Sequence, residues 1–154
     1  MSLGDELVSS KKGIQAPVIN IDESAEHLCY GCSKRNPIGL KLDFTDDKGI
    51  MRSEFTPDKF HQGWPGYTHG GILFSLLDEA GGFAVRKAGL NCVTAKSEIK
   101  YIRPAVTGKP IQITARITKK NKRLVETEAA LSHADGSVIA KTISQWYVLS
   151  KLTD

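Results

Sequence analysis

The sequence predicts an α+β fold in which a six-stranded antiparallel sheet wraps around one long central helix. Two observations lead to this prediction. A single apolar segment with helical spacing occupies the middle of the chain, and segments that alternate apolar and polar residues lie before and after it. Because strands joined by short turns pair antiparallel, the one helix is left to cover the face of the sheet that forms the core.

The central helix is predicted to run from Gly70 to Lys87 and to end near Gly89. Apolar residues recur three and four positions apart, which is typical of an amphipathic helix packed on a sheet. This apolar stripe consists of Ile72, Leu73, Leu76, Leu77, Ala80, Phe83 and Ala84. A second, narrower face carries small or acidic residues and allows another segment to approach closely. Its members are Gly71, Ser75, Asp78 and Gly82.

The six strands are predicted from alternating or β-branched segments. A hairpin of residues 39–44 and 50–55 precedes the helix, with its turn at 46–49. A loop of residues 56–68, with several prolines and glycines, then leads to the helix, and loops of that length often carry function. The four strands after the helix are predicted at residues 92–101, 110–119, 123–132 and 137–149.

Length and composition indicate a single domain. The 154 residues are 40% hydrophobic, which suits one core, and we expect a flexible arm at residues 1–20 followed by a domain at 21–154. The sequence has no apolar run of about 18 residues, so we expect no membrane span. The first 20 residues lack the apolar core of a secretory signal, and three cysteines make an odd number. We therefore expect a cytoplasmic protein with reduced thiols.

The charge pattern does not favour a nucleic-acid-binding protein. The net charge is +4 and the isoelectric point near 9.0, without a long basic block. The densest basic run, residues 119–123, lies between two predicted strands and is expected to form a solvated hairpin turn. The alternative is that this run, or Arg103, neutralises phosphate groups of a ligand.

A glycine turn and a carboxylate on the central helix indicate an active site. Gly70 and Gly71 have no side chains, so a carbonyl group can approach backbone N–H groups at the helix start, where the dipole favours negative charge. Asp78 follows two turns later among apolar residues, and an ionised carboxylate there suits a general base or a nucleophile. Glu79 points about 100° away around the helix and is expected to serve packing or an ion pair.

The distance between these two elements predicts a dimer. Residues 70 and 78 of one helix lie roughly 12 Å apart at about 1.5 Å per residue, whereas a reacting carbonyl needs both groups within about 3 Å. A two-fold dimer with antiparallel helices brings Gly70 of one chain to Asp78 of the other. The edge strands of the sheet also favour a homodimer or a dimer of dimers.

The motif at residues 64–71 (Trp-Pro-Gly-Tyr-Thr-His-Gly-Gly), followed by Leu-Leu-Asp-Glu-Ala at 76–80, resembles the hotdog-fold acyl-CoA thioesterases. The phenylacetate-type and related long-acyl branches are the most similar. Further resemblance lies in the Cys-x-x-Cys of residues 29–32, in residues 36–40 and in Tyr-x-Arg-Pro at 101–104. Together these segments span most of residues 28–149.

The resemblance implies roles for individual residues. The Gly70 N–H polarises the thioester carbonyl, Gly71 shapes the turn, and Asp78 is the catalytic acid of the central helix. Thr94 matches a position where related enzymes hold the attacking water with a hydroxyl group. The sequence departs from the phenylacetate-type pattern at Gly63, six residues before His69, where that branch has Asn. His61 and Gln62 lie beside Gly63 in the sequence.

Other residues receive supporting roles. His69 is expected to hold the glycine turn by a hydrogen bond, because a carboxylate already supplies the base. We expect the acyl group to bind among Trp64, Tyr67 and the helix face with Ser75, and Arg103 to face the phosphates of coenzyme A.

The residues His27, Cys29 and Cys32 are ligand types at close spacing, but zinc commonly takes four ligands and there is a single Cys-x-x-Cys. The sequence therefore favours a structural turn here, with no metal and no cofactor.

The function expected from these residues and the resemblance is hydrolysis of an acyl-CoA thioester, with acyl-CoA as the small-molecule partner. The alternative is a non-catalytic module that binds or senses acyl-CoA, since a fold does not guarantee its chemistry. A hydratase or dehydratase is disfavoured. In the family pattern such an enzyme uses an Asp and a His together near the helix, and this sequence has no such close pair on its helix.

Overall fold

The computed structural model describes residues 17–22 and 24–152. In this part of the chain one helix, α1 (Gly70–Lys87), packs against a sheet of six strands. The strands are β1 (Thr45–Asp47), β2 (Ile50–Phe55), β3 (Leu90–Tyr101), β4 (Ile111–Lys120), β5 (Leu124–Ser132) and β6 (Val138–Lys151). A 3-10 turn, Lys59–His61, lies in the loop before α1. This is the predicted hotdog fold. Most of the expected arm, residues 1–16, lies outside the described residues.

The sheet is antiparallel throughout, in the order β1-β2-β4-β5-β6-β3. Buried and partly buried residues alternate along β5 and the first half of β4, so one face of each strand points to the helix. Leu76 and Leu77 of α1 and Ile111, Ile113 and Leu131 of the sheet are almost fully buried in the shared core. No helix of the described residues is long and apolar enough to cross a membrane.

The helix has the predicted bounds because local chemistry sets both ends. The side chain of His69 caps the start, and Gly89, with φ of +84°, follows the last turn. Arg86 and Lys87 in the last turn suit the negative end of the helix dipole.

The first strand lies further along the chain than the sequence predicts. Residues 40–43 are irregular, and the pairing begins only at Thr45. Leu40 and Leu42 are buried as their alternation suggests, but their N–H groups donate to the carbonyls of Tyr30 and Gly31, at 2.8 and 2.9 Å. The backbone partners therefore come from a loop rather than from a strand, and Lys41 has a positive φ of 55° that interrupts an extended chain.

β3 occupies one edge of the sheet and lies beside the helix. It pairs with β6 on one side and has no strand partner on the other within residues 17–22 and 24–152. With 12 residues it is a long edge strand. Long exposed edges offer their backbone groups to another chain.

Candidate active site

The start of α1 is held in place by His69. Its Nδ1 accepts a hydrogen bond from the Gly71 N–H at 2.8 Å, and its carbonyl accepts from the N–H groups of Ile72 and Leu73. The Gly70 N–H donates to no acceptor in the described part of the chain. One backbone donor therefore remains available at the positive end of the helix dipole.

Tyr101, at the end of β3, holds the other side of this turn. Its hydroxyl donates to the Gly70 carbonyl at 2.9 Å. A Cβ atom at Gly70 would lie 3.4 Å from the same hydroxyl oxygen, so the tyrosine ring packs directly against the glycine. Sequence reasoning noted Tyr101 only as part of a motif and assigned it no role. Its position at the end of the strand after the helix was the available signal.

Asp78 is half-buried near the middle of α1, where Thr94 of β3 contacts it. The Thr94 hydroxyl donates to Asp78 Oδ1 at 2.8 Å. Burial raises the pKa of Asp78 above its usual value, and the hydrogen bond from Thr94 acts in the opposite direction. The structure thus brings together two residues that the sequence placed in one site, 16 positions apart.

A cavity of about 190 Å³ lies beside Asp78. It is lined by residues of the helix, of β3 and β6, and of the loop at 27–32: His27, Cys29, Cys32, Asp78, Glu79, Gly82, Phe83, Arg86, Cys92 and Trp146. Burial raises the pKa of the Cys92 thiol to about 11, against a lowering effect of Arg86. Burial likewise raises the pKa of Cys32 to about 12, with further contributions from Cys29 and Glu79. These raised pKa values favour the protonated thiols at neutral pH.

Gly70 and Asp78 contact different parts of β3. Tyr101 lies at Gly70 and Thr94 lies at Asp78, so the strand runs antiparallel to the helix beside it. Within one chain the free N–H and the carboxylate are separated by two helical turns, roughly 12 Å.

The predicted substrate-binding residues do not line the cavity beside Asp78. Trp64 and Tyr67 are exposed, with 83% and 46% of their surface accessible. The Ser75 hydroxyl donates to the Gly71 carbonyl at 2.8 Å, and Arg103 Nη1 donates to the Val138 carbonyl at 2.7 Å. Ser75 therefore bonds within the helix, and Arg103 ties the end of β3 to the start of β6.

The residues beside Gly63, the position where the phenylacetate-type branch has Asn, form hydrogen bonds within the loop before α1. His61 Nδ1 accepts from the Asp58 N–H at 2.9 Å, and Gln62 Oε1 accepts from the Gly66 N–H at 3.1 Å. Gly63 lies against His69, with room for a Cβ atom at ordinary contact distance.

A larger cavity of about 750 Å³ lies on the face of the sheet away from the helix. Exposed charged residues such as Arg52, Arg116 and Lys141 line it, and it contains none of the predicted site residues. Cavity size alone therefore does not locate the site.

Comparison with known proteins identifies the family. The model of the "Thioesterase superfamily" matches residues 65–140. A protein of Saccharolobus solfataricus named "Putative esterase SSO1253" is 30% identical over 115 residues, which cover 73% of this chain and 75% of the relative. The chain belongs to the thioesterase superfamily. The matched residues contain the glycine turn and α1, and the chain is an enzyme, a thioester hydrolase.

Two further proteins extend the comparison. Human "Acyl-coenzyme A thioesterase 13" is 32% identical over 96 residues, or 60% of this chain and 69% of that protein. A hypothetical thioesterase protein of Streptococcus pneumoniae TIGR4, solved with coenzyme A, superposes with a TM-score of 0.69 at 19% identity, covering 73% of this chain and 88% of the other. The second likeness shows the shared fold.

The raised pKa of Asp78 predicts a pH-dependent effect of Asp78→Asn on stability. When the folded pKa of an Asp lies above its unfolded pKa, the protonated side chain contributes to the free energy of unfolding. This contribution is complete below the ordinary Asp pKa of about 3.9 and is lost as the pH rises through the folded pKa. The variant cannot ionise but keeps an oxygen for Thr94. We therefore expect the free energy of unfolding of Asp78→Asn to exceed that of the wild type at neutral pH. This difference should shrink toward zero as the pH falls to about 4, the ordinary Asp pKa.

Urea unfolding across this pH range measures the effect. Asp43→Asn is the matched control, because the Asp43 side chain is 82% exposed and pairs with Lys34 at the surface. A gain that increases as the pH falls would contradict the burial of Asp78.

Proposed function

We propose that this thioester hydrolase acts on acyl-CoA, with the Gly70 N–H as oxyanion donor and Asp78 as nucleophile or general base. The observation that carries the proposal is the pair of features on α1: an unoccupied backbone donor at its start and a half-buried carboxylate bonded to Thr94 eight residues later. A donor for developing negative charge and a base are what acyl transfer to water requires. Human acyl-coenzyme A thioesterase 13 and the coenzyme A complex of the streptococcal protein support the substrate class.

Two mechanisms fit the arrangement. In the first, Asp78 takes a proton from water while Thr94 helps to position that water, and the hydroxide adds to the thioester carbon. In the second, Asp78 itself attacks and forms an acyl-enzyme anhydride that water then hydrolyses. In both, the carbonyl oxygen becomes negative and accepts from the Gly70 N–H, and the tetrahedral intermediate expels the thiolate of coenzyme A. The raised pKa of Asp78 makes the carboxylate a stronger base.

A two-fold dimer through β3 completes the site in this proposal. The open edge of β3 can pair antiparallel with the same strand of a second copy. Tyr101 of one chain then lies toward Thr94 of the partner subunit, because the two ends of the strand exchange places. The same symmetry moves Gly70 of one chain toward Asp78 of the partner subunit.

The remaining parts of the proposal concern substrate placement, assembly and location. We infer that the exposed rings of Trp64 and Tyr67 cover the acyl group at the dimer seam, since large exposed apolar surfaces mark interaction sites. The basic run at residues 119–123 and Arg103 are candidate contacts of the coenzyme A phosphates. We further propose a dimer of dimers and a cytoplasmic location, the latter supported by the free cysteines Cys29, Cys32 and Cys92.

The Asp78→Asn variant tests the role of the carboxylate. Because Asn can neither attack nor take the proton, we expect kcat to fall by at least about a hundredfold, the usual range for a lost base. Free-thiol release from short, medium, long and aromatic acyl-CoAs measures it, and Asp43→Asn should keep the wild-type rate. Equal rates for Asp78→Asn and wild type would overturn the assignment, and wild-type binding without turnover would favour an acyl-CoA-binding module instead.

The variants Gly70→Pro and Gly70→Ala separate the N–H from the shape of the turn. Proline removes the donor yet suits the first position of a helix, and His69 before it already has compatible angles, φ −59° and ψ 137°. We expect Gly70→Pro to lose about 10²- to 10³-fold in kcat, as other lost oxyanion donors do. Gly70→Ala keeps the N–H and should stay within about tenfold of wild type. Equal losses in both variants would mean that shape, not the donor, matters.

A mixed dimer tests whether the site is shared between subunits. Chains carrying Asp78→Asn and Gly70→Pro, each with its own affinity tag, are co-expressed and the heterodimer is purified over both tags. A shared site leaves one intact Gly70 facing one intact Asp78, so we expect about half of the wild-type rate per dimer from the two-fold symmetry. Activity no higher than that of the two parent homodimers would place each site within a single chain.

A further inference from the structure

We propose that Cys29, Cys32 and Glu79 form a metal site that binds a zinc-type divalent cation. This site is separate from the hydrolytic chemistry proposed above and departs from the sequence-based expectation of no metal. The two sulfur atoms and a Glu79 carboxylate oxygen all lie within 4.8 Å of one another. Cys29 Sγ donates to Glu79 Oε1 at 3.5 Å.

Glu79 is the ligand that sequence reasoning could not place. It lies 50 positions from Cys29 and belongs to the central helix, whereas the cysteines belong to the loop at residues 27–36. The sequence offered one Cys-x-x-Cys, and the tertiary structure adds a carboxylate to it. Thiolate sulfur and carboxylate oxygen are both established ligands of zinc.

The loop holds its two cysteines in a fixed arrangement. The Ser33 N–H donates to the Cys29 carbonyl at 3.0 Å, which forms a single turn around the pair. The Ser33 hydroxyl and the Asn36 side chain bond to the carbonyls of His27 and Leu28, at 3.0 and 3.1 Å. The bonds from Leu40 and Leu42 fix the far side of the same loop. Ligands held before binding cost less entropy to order around an ion.

Gly31, between the cysteines, allows the carboxylate to enter the loop. A Cβ atom at this position would overlap the Glu79 side chain. A larger residue at this position would therefore require the Glu79 side chain to move. This close approach brings a carboxylate against two thiols, three groups that together attract a cation.

Within the described residues, Glu79 has no cationic side chain as an ion-pair partner. The ion pairs found among residues 17–22 and 24–152 do not include Glu79. Arg86 lines the same cavity but pairs with no acidic group within 4.0 Å in that part of the chain. A partly buried carboxylate without a cationic partner is costly unless other groups compensate it.

The fourth position of a tetrahedral zinc site falls to His27 or to water. His27 lines the same cavity and its exposed side chain precedes Cys29 by two residues. Binding replaces the two thiol protons by Zn²⁺ and releases them to solvent, so the affinity rises with pH. A filled site fastens the 27–36 loop to the helix one residue after Asp78.

Metal content of the purified chain tests the proposal. The protein is produced without a polyhistidine tag, freed of loosely bound ions by gel filtration and assayed by plasma mass spectrometry. We expect about one zinc per chain in the wild type, and at least about a tenfold loss in Cys29→Ser, Cys32→Ser and Glu79→Gln. Cys92→Ser is the matched control, since Cys92 lines the cavity but lies outside the cluster, and it should keep its zinc. His27→Gln loses zinc affinity if His27 is the fourth ligand and keeps it if water is.

Thiol alkylation of the folded wild type gives a second readout that needs no variant. Zinc added to chelator-stripped protein should slow alkylation of Cys29 and Cys32 and leave Cys92 unchanged, as peptide mass spectrometry measures. Wild-type protein without zinc that also shows no protection on adding Zn²⁺ would overturn the proposal. So would a Cys29–Cys32 disulfide in the purified protein, or equal zinc content in the wild type and the Cys29→Ser variant. The activity assays of Asp78→Asn are independent of these outcomes.

Discussion

The packing of β3 along α1 is the interaction on which the candidate site depends. One strand supplies both contacts: Thr94 bonds to the carboxylate of Asp78, and Tyr101 bonds to the carbonyl of Gly70. Because β3 is also one edge of the sheet formed by the described residues, the strand that contacts both site residues is available to a second copy. The same 12 residues of β3 therefore position Asp78 and Gly70 and present the edge for the proposed dimer.

The central helix carries groups that a buried helix normally avoids. Asp78 is half-buried with a raised pKa, and Glu79 lies against two thiols and forms no ion pair in the part of the chain that the structure describes. The apolar contacts of Leu76, Leu77 and Ala80 with the sheet hold these carboxylates in place despite the cost of burying them. The burial of these two carboxylates costs stability, which is a cost that functional sites commonly carry.

Most of the secondary structure follows from local sequence. The helix ends at the predicted residues because a capping side chain before Gly70 and a left-handed glycine after Lys87 act over only a few positions. The four strands after the helix lie within two residues of their predicted bounds, since alternation of apolar and polar residues sets their period. The first strand was misplaced, because Leu40 and Leu42 alternate like a strand but find their backbone partners in the 27–36 loop. Periodicity indicates which side chains are buried, but it does not indicate the hydrogen-bond partners of the backbone groups.

The sequence by itself determined the fold class, the glycine turn and the carboxylate on the helix, because these depend on residue type and short spacing. The resemblance already placed Thr94 with Asp78, and the structure joins the two by a hydrogen bond. Only the tertiary structure brought Tyr101 to Gly70, across 31 positions, and Glu79 to Cys29, across 50 positions, and no local pattern encodes such separations. It also decided that Trp64, Tyr67 and Arg103 lie away from the cavity beside Asp78. The physical reason is that long-range contacts arise from how the helix and the sheet pack together, and packing depends on the whole core at once.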